Sequence, residues 1–264
     1  MADYKSIEYD QSGNSARITL NRPDAANSLN DVMARELSAA AARCHSDAKI
    51  KAVILTGAGK FFSAGGDLKA MAGHQGGTGQ YVKELADNVH RAISTFARMD
   101  APLIIAVNGI AAGGGFSLSM TGDLVVACSS ASFTMAYTRA GLSPDGGSSF
   151  YLPRLVGVRK TQELMFTNRT LSAQEALEWG LVNYVVPDSS LNDKANELAD
   201  RFVSGAKKSN AIVKKLLLST FGNGLEEQME IEGRFIAECA ESRDGKEGLD
   251  AFLGKRAAKF AKGV

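Results

Sequence analysis

The chain has 264 residues, of which 45% are hydrophobic and 22% charged, and this composition excludes a disordered chain, a collagen-like fibre and a coiled-coil rod. Lysine and arginine total 30 against 29 acidic residues, so the formal charge of +1 gives no basic footprint for nucleic acid. No run of residues is long and apolar enough for a transmembrane helix, and the first ten residues lack the apolar stretch of a signal peptide. Three widely spaced cysteines predict free thiols, neither a disulfide framework nor a metal site, and therefore a cytoplasmic protein.

Short apolar strands alternate with amphipathic helices through the first two-thirds of the chain. Strands are predicted at 16–20, 51–56, 102–107 and 124–127, and helices at 31–47 (capped by Asn30) and 81–99, the latter after a glycine-rich, mobile loop at 73–79. This alternation is typical of a sheet covered by helices. After Pro187 the pattern becomes helical, with runs at 191–204, 210–221 and 225–241. We therefore divide the chain into a core of residues 1–187 and a helical region of residues 188–264.

Two glycine-rich turns, each after an apolar strand, carry the first chemical signal. Residues 63–67 read SAGGD, and residues 112–116 read AGGGF and lead into a helix. Such turns leave backbone N–H groups unpaired, and one from each turn could stabilise an oxygen that gains negative charge. The glycine spacing does not fit a dinucleotide fingerprint or a P-loop. The alternative is that these glycines only relieve steric strain in tight turns.

The segment GLSPDGGS at 141–148 contains the third candidate element. Pro-Asp-Gly-Gly is a strong turn signal, so Asp145 can be explained as a turn former or an N-cap. If its carboxylate instead projects into an apolar pocket, it could carry protons in a reaction. The residues alone leave both interpretations open.

Taken in order, these elements resemble the crotonase superfamily, also called the enoyl-CoA hydratase/isomerase family. The resemblance covers nearly the whole chain, through ITLNRP at 18–23, FSAGGDLK at 62–69, AVNG at 106–109, GGG at 113–115, GLSPD at 141–145, LPRLVG at 152–157, LSAQEA at 171–176, WGLV at 179–182 and EGLDAFLGKR at 247–256. It implies an α/β fold, the ClpP/crotonase spiral of strand–strand–helix units with a helical C-terminal trimerisation region. It also implies homotrimers or dimers of trimers, an acyl-CoA thioester substrate, and no metal or other cofactor.

The resemblance also assigns site residues. It implies that the thioester carbonyl lies between the backbone N–H groups of Gly66 and Gly114, with Asp145 as the catalytic carboxylate. The residues expected along the CoA are Ala25, Ala26, Asn27, Ala64, Gly65, Gly66, Asp67 and Leu68, with Lys69 on a CoA phosphate, and with Phe252 and Lys255 reaching the CoA of a neighbouring subunit. The expected pocket walls are Met71, Phe116, Tyr137 and His90. Lys69 and Lys255 could equally lie on a solvated helix face.

The sequence departs from the pattern of the family's hydratases, which place two glutamates around the thioester. The matching positions hold Ser117 and the segment AYTR at 136–139. Water addition needs one group to activate water and another to deliver a proton, whereas a single carboxylate can move a double bond. The Pro-Asp-Gly-Gly placement resembles the isomerase branch that includes ring-opening isomerases of the phenylacetate pathway. We therefore favour conversion of 3-enoyl-CoA to 2-enoyl-CoA, with Asp145 as the acid and base.

Three alternatives remain. The first is an enoyl-CoA hydratase, and for every reaction considered the pathway (fatty-acid oxidation, phenylacetate breakdown or another aromatic route) stays open. The second follows from a resemblance of residues 163–171 and of the Asp145 spacing to 4-chlorobenzoyl-CoA dehalogenases, in which Asp145 would be a nucleophile and His90 would activate water. Against it, Tyr137 stands where those enzymes have Trp, and Pro144 stands where they have Asn. His90 is also better explained as an ordinary helix-surface residue. The third is a non-catalytic acyl-CoA binder, because a fold alone does not give a function.

Overall fold

The computed structural model describes residues 4–260, which form two sheets. The strands are β1 (Ile7–Ser12), β2 (Ser15–Leu20), β3 (Ala52–Gly57), β4 (Phe61–Ser63), β5 (Leu103–Val107), β6 (Ile110–Ala112), β7 (Leu124–Cys128), β8 (Ser132–Thr134), β9 (Leu171–Ser172) and β10 (Tyr184–Val186). In the described range the larger sheet has the order β1-β2-β3-β5-β7-β10, and the smaller has the order β4-β6-β8-β9. All neighbours in the larger sheet are parallel except β1 and β2. The interior strand β5 is apolar throughout because both of its faces are buried.

A strand of the larger sheet, a short strand of the smaller sheet and a helix recur in this order along the chain. The helices of this part are α1 (Asp31–Ser46), α2 (Leu68–Ala72), α3 (Thr78–Arg98), α4 (Gly114–Ser119), α5 (Ser148–Thr167) and α6 (Ala173–Glu178). β3 and β4 lead to α2 and α3, β5 and β6 lead to α4, and β7 and β8 lead to α5. The α/β spiral expected from the sequence is confirmed. Its repetition places the segments after β4 and β6 side by side, because these two strands are paired.

The C-terminal part consists of α7 (Leu191–Ser204), α8 (Lys207–Ser219), α9 (Leu225–Glu241) and α10 (Arg243–Leu253). Helix α7 packs on the larger sheet through Ala195, Leu198 and Ala199, which are buried. Helix α9 has no buried side chain in the described structure and exposes Leu225 and Ile236. Exposed apolar faces of this kind are typical of surfaces that are covered in an assembly. The expected trimer stays a prediction.

The local signals located most element boundaries. Asn30 caps α1 as predicted, since its Oδ1 accepts a hydrogen bond of 2.9 Å from the Met33 N–H. Helix α3 begins at Thr78, earlier than predicted, so the predicted loop at 73–79 includes the first helical residues. The start of α3 was predicted too late because glycines flank it, and glycine has a low helix propensity. Within residues 4–260 no helix has both the length and the hydropathy needed to cross a membrane.

Candidate active site

The two predicted glycine turns touch each other. A Cβ atom built on Gly65 would lie 2.7 Å from the Ala112 carbonyl oxygen and 2.8 Å from the Gly114 nitrogen. A Cβ atom built on Gly115 would lie 2.2 Å from the Ser63 carbonyl oxygen. Any larger residue at these positions would force the two backbones apart. The glycines therefore permit a close approach between the segments that follow β4 and β6.

The first turn is held in place from both sides of Gly66. The Leu29 N–H donates to the Gly65 carbonyl oxygen at 2.7 Å, and the Asp67 N–H donates to the Leu29 carbonyl oxygen at 3.0 Å. The Asp67 side chain caps α2 through the Ala70 N–H and forms an ion pair of 3.0 Å with Arg22. Burial raises the pKa of Asp67, but these hydrogen bonds outweigh it and hold that pKa below its usual value. Asp67 thus serves as a fixed structural anion.

The backbone amides of Gly66 and Gly114 stay available for a ligand. Neither N–H donates a hydrogen bond to another group in the part of the chain that the structure describes. Gly114 is the first residue of α4, where the amide has no partner within the helix. Both glycines line the same cavity. The structure thus brings together the two amides singled out in the sequence.

The cavity has a volume of about 410 Å³ and is bounded by the glycine turns, by α3 and by the segment 136–146. Its apolar walls include Leu29, Met71, Val82, Leu85, Val89 and Leu142. Among the residues described, Asp145 is the only carboxylate that lines it. A mostly apolar cavity with few polar groups is typical of a small-molecule site. Val82 and Leu85 were not predicted as cavity-wall residues, although their spacing with Val89 places all three on one face of α3.

Asp145 and His90 form a direct contact at the cavity. The His90 Nε2 atom lies 2.6 Å from Asp145 Oδ1. His90 belongs to α3 and Asp145 to the turn before α5, and 47% and 42% of their side-chain surfaces are exposed. His90 is therefore an exposed residue of the helix surface, as one interpretation of the sequence had it, and its ring also contacts the candidate catalytic carboxylate.

Tyr137 links the Asp145 turn to the interior. Its hydroxyl lies 2.9 Å from Ser117 Oγ and donates to the Asp145 backbone carbonyl oxygen at 3.2 Å. Burial raises the pKa of Tyr137, so its hydroxyl stays protonated. Ser117 is itself fully buried, and its Oγ also lies 3.3 Å from the Gly113 carbonyl oxygen. The position at which the hydratase pattern has its first glutamate thus holds a hydroxyl turned into the protein.

The residues predicted to follow the CoA are divided between the cavity and the protein framework. Ala64, Gly66 and Leu68 line the cavity. Asn27 is fully buried, accepts a hydrogen bond from the Arg22 N–H, and donates to the carbonyl oxygens of Ala58 and Phe61 at 2.8 and 2.7 Å. Its side chain therefore holds the loop together, and its backbone is bonded as well, since its N–H donates to the Arg22 carbonyl oxygen and its carbonyl oxygen accepts from Ser63 Oγ. The contacts expected of Ala25, Ala26 and Asn27 with CoA stay predictions.

Replacing Asn27 with alanine is expected to lower the free energy of unfolding by about 2–3 kcal/mol. The Arg22 N–H and the Ala58 carbonyl oxygen lose their bond to Asn27, and the Phe61 carbonyl oxygen keeps only a longer bond from Asn108. Chemical denaturation of the variant and the wild type measures the difference. Asn14→Ala is the matched control, since the exposed Asn14 side chain makes one bond to a carbonyl oxygen and its loss should cost less than about 1 kcal/mol. Equal stability of the two variants would contradict the structural role of Asn27.

The remaining predicted residues lie elsewhere. Phe116 is fully buried and packs on Phe133 with ring centroids 5.5 Å apart. It is a core residue, so its prediction as a pocket wall is wrong: the first turn of α4 directs it away from the cavity. Lys69, Phe252 and Lys255 are exposed and do not line the cavity. The contacts expected of them with CoA stay predictions. Residues 4–260 contain no cluster of histidine, cysteine and acidic side chains suited to a metal ion.

Comparison with known proteins identifies the family. Residues 10–263 match the enoyl-CoA hydratase/isomerase family. The chain belongs to this family. It is 36% identical over 247 residues to the 1,2-epoxyphenylacetyl-CoA isomerase of Escherichia coli K12, covering 92% of this chain and 93% of that protein. It is 33% identical over 255 residues to the short-chain-enoyl-CoA hydratase of Clostridium acetobutylicum, covering 96% and 97%.

Solved structures agree with this assignment. The crystal structure of an enoyl-CoA hydratase from Bacillus anthracis superposes with a TM-score of 0.91 and is 34% identical, covering 97% of this chain and 99% of that one. The resemblance to the crotonase superfamily is thus confirmed, and the chain is an acyl-CoA enzyme of this family. Because the relatives include both an isomerase and hydratases, membership alone does not select the reaction.

Proposed function

We propose that this enzyme moves the double bond of a 3-enoyl-CoA to the 2-position, with Asp145 as the acid and base. One observation carries the proposal: a single carboxylate, Asp145, lines the described cavity that also holds the free amides of Gly66 and Gly114. One carboxylate and two amide donors are sufficient for this reaction, which takes up no water and needs no co-reactant.

The reaction would proceed through a dienolate. Asp145 takes a proton from C2, and the electron pair of the broken C–H bond moves toward the thioester oxygen, which becomes negative. The N–H groups of Gly66 and Gly114 stabilise that oxygen, and each fixed donor of this kind is worth about 3–4 kcal/mol of the barrier. The protonated Asp145 then gives its proton to C4. The oxygen pair re-forms the thioester C=O bond, the π pair between C1 and C2 becomes the double bond between C2 and C3, and the former C3=C4 π pair forms the new C4–H bond.

Hydration receives less support from the cavity. It needs a second group that activates water while the first delivers a proton. Ser117 is buried and bonded to Tyr137, and no second acid lines the cavity within residues 4–260. The names of the hydratase relatives nevertheless make hydration the first competing reaction to measure.

A second candidate is the dehalogenase-like reaction, which the position of His90 beside Asp145 favours. In that reaction Asp145 would attack an aromatic ring, and His90 would then activate the water that releases the product. However, the distance of 2.6 Å between His90 Nε2 and Asp145 Oδ1 leaves no room for water between them. A nitrogen bonded to the carboxylate is better suited to orient Asp145 than to activate water, so isomerisation is favoured.

Assays of 3-hexenoyl-CoA, crotonyl-CoA and 4-chlorobenzoyl-CoA with the same enzyme preparation test the proposal. We expect 2-hexenoyl-CoA to form and crotonyl-CoA to be hydrated about 100-fold more slowly, because one of the two acid–base groups is missing. Hydration of crotonyl-CoA with 3-hexenoyl-CoA unchanged would establish the hydratase instead. Chloride release would support the dehalogenase, and thioester binding without turnover would support a non-catalytic binder.

A further inference from the structure

The Asp145 side chain has one hydrogen-bond partner among residues 4–260, which is His90. Its backbone is held by Tyr137 and Ser148, but the carboxylate stands on a turn and is 42% exposed. Gly146 and Gly147 follow it with φ values of 63° and 75°, which are conformations that favour glycine. Without its contact to His90, this carboxylate would rotate freely about its side-chain torsions.

We propose that His90 is a positioning residue that determines which oxygen of Asp145 carries the substrate proton. The inference rests on the proposed function of Asp145 as acid and base. His90 is suited to this task because it stands on α3, a helix of 21 residues whose Leu85 and Val89 are buried in the core. The helix therefore supplies a fixed point against which the carboxylate of the turn is held.

The chemistry of the contact assigns its direction. An ionised carboxylate can only accept hydrogen bonds, so the hydrogen lies on His90 Nε2 and is donated to Asp145 Oδ1. Oδ1 is thereby occupied, and Oδ2 is the oxygen free to take the proton from C2. Because Nε2 already carries a hydrogen, it cannot accept the proton that Asp145 has taken. The proton is thus held on Oδ2 until C4 receives it.

His90 also separates the cavity from a neighbouring one. A second cavity of about 300 Å³, lined by Ile93, Phe150 and Tyr151, has His90 as the wall that it shares with the first. The test variants therefore keep a side chain of similar size at position 90, so that the lining of both cavities changes as little as possible. This selects leucine, which fills space and donates no hydrogen bond, and glutamine, which fills space and keeps a donor at the end of its side chain.

The test follows a label. 3-Hexenoyl-CoA with deuterium at C2 is converted by the wild type, His90→Leu and His90→Gln, and mass spectrometry and NMR measure the fraction of deuterium delivered to C4 together with kcat and KM. For His90→Leu we expect kcat to fall about 10- to 100-fold with KM nearly unchanged, because the base is misplaced. The delivered fraction should also fall, since the rotating carboxyl exchanges with water. His90→Gln should keep kcat within about fivefold of the wild type and retain most of the label transfer.

The proposal is overturned if His90→Leu keeps the kcat and the label transfer of the wild type. It is also overturned if His90→Leu and His90→Gln lose kcat and label transfer equally, because a hydrogen-bond donor at position 90 would then not position Asp145. His90→Asn, with an amide too short to reach Oδ1, replaces leucine if that variant fails to fold. Asp145→Asn is measured in parallel. If Asp145→Asn keeps wild-type turnover, or if the wild type leaves 3-hexenoyl-CoA unchanged, the proposed function fails and the role of His90 fails with it. If neither happens, the results for the His90 variants test the role of His90 alone.

Discussion

Replacing Asp145 with asparagine is expected to lower kcat for 3-hexenoyl-CoA by about 10³-fold, because an amide cannot take the proton from C2. Asparagine has nearly the same shape as aspartate, and its Oδ1 can still accept the hydrogen bond that His90 Nε2 donates. KM should therefore change by less than about threefold, since the walls and the two amide donors are untouched. Steady-state kinetics of the purified variant measure both quantities.

Asp87→Asn is the matched control for this variant. Asp87 is an exposed carboxylate on α3, the helix that carries His90, and it pairs with Lys83 at 2.5 Å. Its replacement makes the same change of charge and of atoms without contacting Asp145, and its partner Lys83, which lines the cavity, keeps its own charge, so kcat should stay within about twofold. If Asp145→Asn retained more than about a tenth of the wild-type kcat, Asp145 would not be the general base.

Local chemistry explains which parts of the fold were predictable from the sequence. The cap of α1 depends on Asn30 and an amide three residues away, and the buried strand β5 depends on a continuous apolar run. The glycine turns were predictable for a similar reason, because a cluster such as Gly113-Gly114-Gly115 is chosen for backbone geometry. Their convergence depends on the parallel pairing of β4 and β6, two short strands that were not predicted from the sequence.

The parts that could not be predicted depend on contacts between distant segments. His90 and Asp145 are 55 residues apart, and their contact depends on how the turn at 141–147 faces α3. The helix pattern around His90 does not show its partner, and only the resemblances to known families placed it in the same site as Asp145. Likewise, Phe116 follows the glycine turn directly and was predicted as a pocket wall. Its side chain packs on Phe133 instead, because the orientation of the first turn of α4 sets where it lies. The reaction itself depends on the arrangement of a few polar atoms, which the shared family sequence does not specify.

Replacing Gly114 with proline is expected to lower kcat for 3-hexenoyl-CoA by about 10²- to 10³-fold, because it removes one of the two amide hydrogens that stabilise the dienolate oxygen. Gly114 is the first residue of α4, a position where proline is favoured and where its N–H has no partner in the helix. The preceding residue, Gly113, has no Cβ to clash with the proline ring, and it keeps its φ of 50°. Because Gly65 packs closely against the Gly114 nitrogen, the thermal midpoint is measured beside kcat to confirm that the folded structure accommodates the proline ring.

Gly114→Ala separates the loss of the hydrogen from the added bulk. Its Cβ would lie 3.2 Å from Leu29 Cδ1 and 3.7 Å from the Tyr137 hydroxyl, while the N–H remains in place. Because the end of the Leu29 side chain can shift by a few tenths of an ångström, we expect alanine to cost less than about tenfold in kcat. Similar losses in the two variants would mean that space around Gly114, and not its amide hydrogen, controls turnover. The dienolate oxygen would then have to be stabilised elsewhere in the cavity.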